Sequence, residues 1–175
     1  MTATTLQTTL ASARAADRAA LVGYLPAGFP DVDSSIRVIQ AMGEGGCDVI
    51  EVGLPYSDPM MDGPTIQRAA DRALASGTTT DDVFRVVEAT AATGAAALVM
   101  SYWNPIERYG VERFATELAN SGGAGVITPD LIPEEAEEWY AASEKAGLDR
   151  IFLVAPSSTD RRLELTTGAC SGFVY

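Results

Sequence analysis

Glu51, Asp58 and Asp62 are the side chains in this sequence best placed to do acid–base chemistry. All three fall within the stretch Asp48-Val-Ile-Glu-Val-Gly-Leu-Pro-Tyr-Ser-Asp-Pro-Met-Met-Asp-Gly-Pro-Thr-Ile-Gln67. Glu51 interrupts an apolar run, Asp48–Val52, that reads as a buried strand. Side chains alternate along a strand, so Ile50 and Val52 face one way and Glu51 the other. If the sheet closes into a barrel, that other direction is the barrel axis. An ionised carboxylate there is costly, so its pKa should rise until it can hold or exchange a proton near neutral pH. The alternative is a structural glutamate hydrogen-bonded to a neighbouring loop. Asp58 and Asp62 lie in the following loop, each beside a Pro or Gly, where an aspartate commonly braces a turn through its own backbone. Together, a strand carboxylate and a loop carboxylate can face one substrate from two sides. Environments that push two pKa values apart make one group an acid and the other a lasting anion.

The rest of the composition narrows the chemistry by exclusion. There is no histidine, and Cys47 and Cys170 are the only cysteines, far apart in sequence. This argues against a zinc site, a Ser-His triad or imidazole as proton shuttle. Chemistry therefore falls to carboxylates, tyrosines, hydroxyls or the single lysine, Lys145. The formal net charge is −12, and the 12 basic residues are dispersed, with only Arg161 and Arg162 adjacent. Nothing here could neutralise a row of phosphates, so neither nucleic acid nor an anionic membrane is an expected partner. Met1–Thr9 has no basic region followed by an apolar core, so no signal peptide is expected. No apolar run approaches the ~20 residues of a membrane span. A cytoplasmic, reduced protein is expected.

The elements that must position these side chains follow from apolar periodicity. The 175 residues, 47% hydrophobic and 21% charged, suit one domain with a real core. Six short runs read as strands: Ala20–Leu25, Asp48–Val52, Ala97–Ser101, Gly125–Thr128, Ile151–Val154 and Gly172–Tyr175. Most are apolar on consecutive positions, as parallel strands buried on both faces should be. Between them, Ser34–Glu44 reads as a helix capped by Asp33, followed by Asp81–Thr93, Val111–Asn120, Glu134–Ala146 and Thr159–Thr167. A further amphipathic helix around Thr4–Arg18 precedes the first strand. This is a βαβα series and implies a parallel sheet, with a repeat of roughly 20–28 residues. From Asp48 to Ala97 the interval is longer by roughly 20 residues, and the excess, within Gly53–Gly77, reads as a long loop after the second strand. Such folds place their chemistry on loops at the carboxyl ends of strands.

On these residues the sequence resembles the tryptophan synthase α-subunit family. The run Glu51–Gln67 is similar to that family's signature. Gly23-Tyr-Leu-Pro-Ala-Gly-Phe-Pro-Asp31 looks like its first strand and loop. Met100-Ser-Tyr-Trp-Asn-Pro105, Gly125-Val-Ile-Thr-Pro-Asp-Leu-Ile-Pro-Glu-Glu135 and Leu153-Val-Ala-Pro156 look like the ends of its third, fourth and fifth strands. The resemblance implies an α/β fold, a TIM (β/α)₈ barrel, and a carbon–carbon lyase that cleaves indole-3-glycerol phosphate to indole and glyceraldehyde 3-phosphate. It implies that Glu51 is the catalytic acid and base and that Asp62 stabilises positive charge at the indole N–H. Tyr24, Met100, Ile127, Leu153 and Tyr175 would line the indole pocket, with Tyr102 at its mouth. For each of the five the plainer reading is barrel core. Pro55, Asp58 and Asn104 match positions touching a β subunit in an α2β2 assembly, where turn bracing is the plainer reading. No cofactor and no metal are implied.

A (β/α)₈ barrel needs ~250 residues. Residues 1–175 are therefore expected to be a single barrel domain truncated at strand 6, with about six of eight βα units. No residue is assigned to phosphate, whose grip in such barrels lies on the seventh and eighth units. Two other readings are carried forward. One is a different phosphate-substrate barrel, such as a prenyl-glyceryl phosphate synthase, holding Mg²⁺ between Asp58 and Asp62. The other is an inactive fragment, or a protein that only binds and activates a β-type partner.

Overall fold

Five parallel strands hydrogen-bond in sequential order in a computed structural model that describes residues 3–175. Met1 and Thr2, the start of the stretch read above for a leader, lie outside the described residues. The strands are β1 (Val22–Pro26), β2 (Val49–Gly53), β3 (Ala96–Met100), β4 (Gly125–Thr128) and β5 (Asp149–Phe152). Register runs straight across, with Tyr24 beside Glu51, Glu51 beside Leu98, and Leu98 beside Gly125. Strands β2 to β5 are mostly buried on both faces, as continuous apolar strands require, whereas the edge strand β1 is only half-buried and leaves Val22 exposed. Ile50, Val52, Ala97, Val99, Val126 and Phe152 pack outward into a helical layer that includes Val83, Phe114, Leu118 and Trp139. Val49, Ala96, Leu98, Ile127 and Ile151 form a second, inner cluster.

The helices are α1 (Thr5–Ala15), α2 (Val32–Glu44), α3 (Pro64–Ala75), α4 (Thr80–Ala91), α5 (Trp103–Tyr109), α6 (Val111–Asn120), α7 (Glu137–Ala146) and α8 (Asp160–Ala169). The expected helices all form, with shifted ends. The cap of α2 is Asp31 rather than Asp33, because the Asp31 side chain accepts from Ser34 N at 2.8 Å. Asp33 sits inside the first turn, where its charge favours the helix dipole. The segment Glu134–Ala146 opens with a 3-10 turn, Pro133–Glu135, before α7 begins. It ends as expected at Gly147, which takes the left-handed φ of 70° that a Cβ would resist.

Two departures matter for the site. The interval read as one long loop contains α3, which starts with Pro64 in its first turn and has no side-chain cap. The other is at the far end of the chain. Gly172–Tyr175, expected as a sixth strand, joins β5 through Tyr175 alone. Tyr175 N donates to Phe152 O at 3.0 Å and Val154 N to Tyr175 O at 2.9 Å. Gly172 at φ 84° and the bond from Phe173 N to Ser171 O bend the chain just before it, leaving one residue in ladder position.

Helix α1 closes the amino-terminal end of the sheet. Its Leu6 is fully buried in the inner cluster. Thr4 Oγ1 and Gln7 Nε2 both donate to the buried Asp149 carboxylate, the latter at 2.8 Å. Beyond the helix, Arg18 forks onto Asp48 through two 2.7 Å bonds, and Leu21 N donates to Asp48 at 2.8 Å. The Arg18 side chain and the Leu21 amide hold the Asp48 pKa down at about 2, against 3.8 ordinarily. A depressed carboxylate stabilises the fold above its unfolded pKa and loses that contribution as pH falls through the folded value. Thermal unfolding midpoints should therefore fall between about pH 4 and pH 2, and this part of the fall should be missing in Asp48→Asn.

Candidate active site

Glu51 is the middle residue of β2 and points inward between two register neighbours, Tyr24 and Leu98. Val49 lies below it on the same face, within the inner cluster. Above it stands Gly53, with no side chain. The space is taken instead by the Tyr24 ring, since a Cβ on Gly53 would lie 2.4 Å from Tyr24 Oη. Glu51 is thus walled on all sides and only 4% exposed. Burial raises its pKa from 4.5 to about 7. The same geometry raises the Tyr24 hydroxyl, through burial first and then the charges of Asp62 and Glu51. Both carboxylates therefore face one tyrosine.

Asp62 reaches the site from the loop between β2 and α3. Burial raises its pKa, and the Tyr102 hydroxyl pulls it partly back. The loop is tied at its far end, where Gln67 Nε2 donates to Asp62 O at 2.8 Å and Met61 N donates to Tyr102 Oη at 2.8 Å. Tyr102 is almost fully buried at the start of α5. Tyr175 also belongs here, its hydroxyl raised by burial and by the charge of Glu51. Met100 and Leu153 pack half-buried against the inner cluster. Ile127 is fully buried within that cluster, and so fills the barrel interior beneath the site.

The structure separates the other three candidates from this group. Pro55, Asp58 and Asn104 line a groove of about 510 Å³ with Tyr56, Thr78 and Arg108. Asp58 is exposed and accepts from Ser57 Oγ at 2.6 Å. The two loop aspartates therefore face different places, Asp58 the groove and Asp62 the inner tyrosines. A magnesium ion shared between them would need both carboxylates turned to one place, which this arrangement does not favour. Among the described residues no three His, Cys, Asp or Glu side chains cluster as metal ligands.

Three contributing residues escaped the sequence. Tyr56 packs on Tyr102 with ring centroids 5.5 Å apart and accepts from Asn104 Nδ2 at 2.9 Å. Asp130 accepts from Trp103 N at 2.9 Å and so anchors the start of α5. Gln67 braces Asp62. The Tyr56 and Asp130 contacts join residues 27 or more positions apart, and no local pattern announces them. For α3 a signal existed, the Gly63-Pro64 start followed by a helical spacing of apolar residues.

A family model described as tryptophan synthase alpha chain matches residues 10–175. This chain belongs to that family. The tryptophan synthase alpha chain of Thermobifida fusca is 72% identical over 172 residues, covering 98% of this chain and 64% of the relative. That of Acidothermus cellulolyticus is 64% identical over 162 residues, covering 93% and 61%. The chain thus spans slightly less than two thirds of these relatives' length. Among solved structures, Mycobacterium tuberculosis tryptophan synthase in an aminoacrylate- and BRD0059-bound form superposes with a TM-score of 0.97 at 57% identity, covering 99% of this chain and 70% of that one. A tryptophan synthase subunit alpha from Legionella pneumophila gives 0.94 at 35%. The five strands and their helices are accordingly part of the TIM barrel of the tryptophan synthase alpha chain family.

A raised carboxyl pKa favours the fold below the unfolded value and loses that contribution as pH rises through the folded value. Glu51 should therefore weaken the protein as pH climbs from about 4.5 to about 7, with little further change above that. Glu51→Gln should be more stable than the parent at alkaline pH and little different at acidic pH. Urea midpoints at about pH 4 and about pH 8, beyond the two ends of that window, measure this.

Proposed function

We propose that this protein is the α subunit of a tryptophan synthase. It cleaves indole-3-glycerol phosphate by a retro-aldol step to indole and glyceraldehyde 3-phosphate. One observation carries the reading. A carboxyl poised near neutral pH and a second carboxylate face the same tyrosine on the inner side of the sheet. Glu51 in its acid form gives its proton to C3 of the indole ring, and positive charge appears at the ring nitrogen. Asp62, as an anion, accepts a hydrogen bond from that N–H and stabilises the charge. The Glu51 carboxylate then takes the proton from the glycerol hydroxyl on the carbon beside the breaking bond. The carbon–carbon bond breaks, its electron pair restores the indole, the hydroxyl carbon becomes the aldehyde, and Glu51 is again protonated. The protonated ring is the electron sink, so the reading calls on no cofactor. Tyr24, Met100, Leu153 and Tyr175 enclose the ring, Ile127 supports it from below, and Tyr102 stands at the mouth.

Pro55, Asp58 and Asn104 form the docking groove for a β subunit in an α2β2 assembly, which takes up the released indole for tryptophan synthesis. The groove lies on the same β2–α3 loop that carries Asp62, so release and transfer are neighbours. Among the described residues no helix is long and apolar enough to cross a membrane, and biosynthetic chemistry on a phosphorylated, soluble substrate belongs in the cytoplasm.

The test is indole release from indole-3-glycerol phosphate by the full-length protein with its β partner. Glu51→Ala should lose at least about 10²-fold in kcat, the usual worth of a general acid–base group. Asp62→Asn should lose activity too, and a chelator should change nothing. Activity surviving Glu51→Ala, or requiring added Mg²⁺, would overturn the assignment.

A further inference from the structure

We propose that Tyr102 is a positioning residue, its hydroxyl pinning the Met61–Asp62 turn to the start of α5 and so fixing where the Asp62 carboxylate meets the substrate. This rests on the reading of Asp62 given above and goes beyond a lining role for Tyr102. The hydroxyl oxygen accepts the Met61 amide at 2.8 Å, a bond spanning 41 residues of sequence. An oxygen that accepts from Met61 keeps its own single proton to donate. The group it faces is the Asp62 carboxylate. The hydroxyl therefore grips the turn through the Met61 amide and lies close enough to the Asp62 carboxyl to lower its pKa.

The ring is held in turn. Tyr102 is 5% exposed at the amino end of α5, whose first amide, Trp103 N, is fixed by Asp130 at 2.9 Å. On the loop side its ring packs against Tyr56 at 5.5 Å, and Tyr56 Oη is held by Asn104 Nδ2 at 2.9 Å. The loop around it needs such an anchor. Met60 and Met61 are 74% and 57% exposed, and Asp58 is exposed as well. Little apolar burial secures these residues, so hydrogen bonds hold the turn, Met61 to Tyr102 at the start of α5 and Gln67 to Asp62 O from α3. A side chain that must sit within about half an ångström of its productive position cannot be left to such a loop unaided.

Tyr102→Phe keeps the ring, the packing on Tyr56 and the barrel wall, and removes only the hydroxyl. In the full-length protein with its β partner, kcat for indole release should fall about tenfold or more, with KM changed less than about twofold. Losing the hydroxyl also removes what draws the Asp62 pKa down, so the acidic limb of the kcat profile should move to higher pH. The Met61 amide should exchange with solvent at least about tenfold faster, a readout independent of turnover. A side chain that merely lines the pocket predicts no change in Tyr102→Phe and a raised KM in Tyr102→Leu. Unchanged kcat, pH profile and Met61 exchange in Tyr102→Phe would overturn the proposal. Asp62→Asn, run beside it, separates the two failures. If that variant is inactive while Tyr102→Phe behaves as the parent, the positioning role is wrong. If Asp62→Asn is fully active, the role of Asp62 is wrong, and faster Met61 exchange would then report only a structural tie.

Discussion

A carboxylate on the inner face of a parallel β-barrel is an expensive thing to build, and the architecture around Glu51 follows from that cost. Water cannot solvate it from below, where Val49, Leu98 and Ile151 fill the interior. Pairing it with a lysine or arginine would hold it ionised and useless as a proton donor. The fold does neither. Glu51 has tyrosines as its polar surroundings: Tyr24 beside it in register and Tyr175 approaching from the last residues of the chain. These surroundings leave the carboxyl near the point where it can both give and take a proton. Gly53 serves the same end, because only a residue without a Cβ lets the Tyr24 ring lean across β2.

The second carboxylate obeys the opposite requirement. In the proposed reaction Asp62 stays charged while Glu51 is protonated, and its half-buried place on a loop gives it the partial access to water that this requires. Its carboxylate faces a hydroxyl, and its backbone oxygen accepts from Gln67. Strand and loop thereby place two carboxyls in different surroundings, Glu51 raised by burial alone and Asp62 raised by burial but drawn back by the Tyr102 hydroxyl. A loop buys this access at the loss of rigidity, and Tyr102, Gln67 and the start of α3 restore what the strand supplies to Glu51 without help.

Much of this was legible in the sequence because it is local. A lone glutamate in an apolar run has a direction fixed by strand alternation, and Val49 on the inner face with Ile50 and Val52 outside bears that direction out. Strand spacing and helix periodicity located every strand of the sheet, and glycines located most helix ends. What stayed hidden depends on contacts across the chain or on competing local signals. Asp31 and Asp33 are both good caps by type, and only the bond to Ser34 distinguishes them. Helix α3 lay within a stretch whose glycines and prolines spoke for a loop. The bend at Gly172 turns an apolar run that reads as a strand into a single ladder residue. Tyr56 and Asp130 act through partners dozens of residues away. Asp58 and Asp62 show the same limit, since four positions of sequence separate them and the structure sends them to different surfaces.

That separation has a consequence for how one loop can serve two purposes. Between Gly53 and Pro64 the chain presents Asp62 inward and Pro55, Tyr56 and Asp58 outward to a groove shared with Asn104. Tyr56 and Tyr102 stack where the two sides meet, one ring toward the groove and the other toward Asp62. Tyr56 and the Asn104 that holds it both line the groove, and the Tyr56 ring packs directly against Tyr102. Close-packed aromatic contacts transmit displacements because there is no void to absorb them. The groove and the Asp62 turn are thus linked by a continuous run of contacts, Asn104 to Tyr56, Tyr56 to Tyr102 and Tyr102 to the Met61 amide.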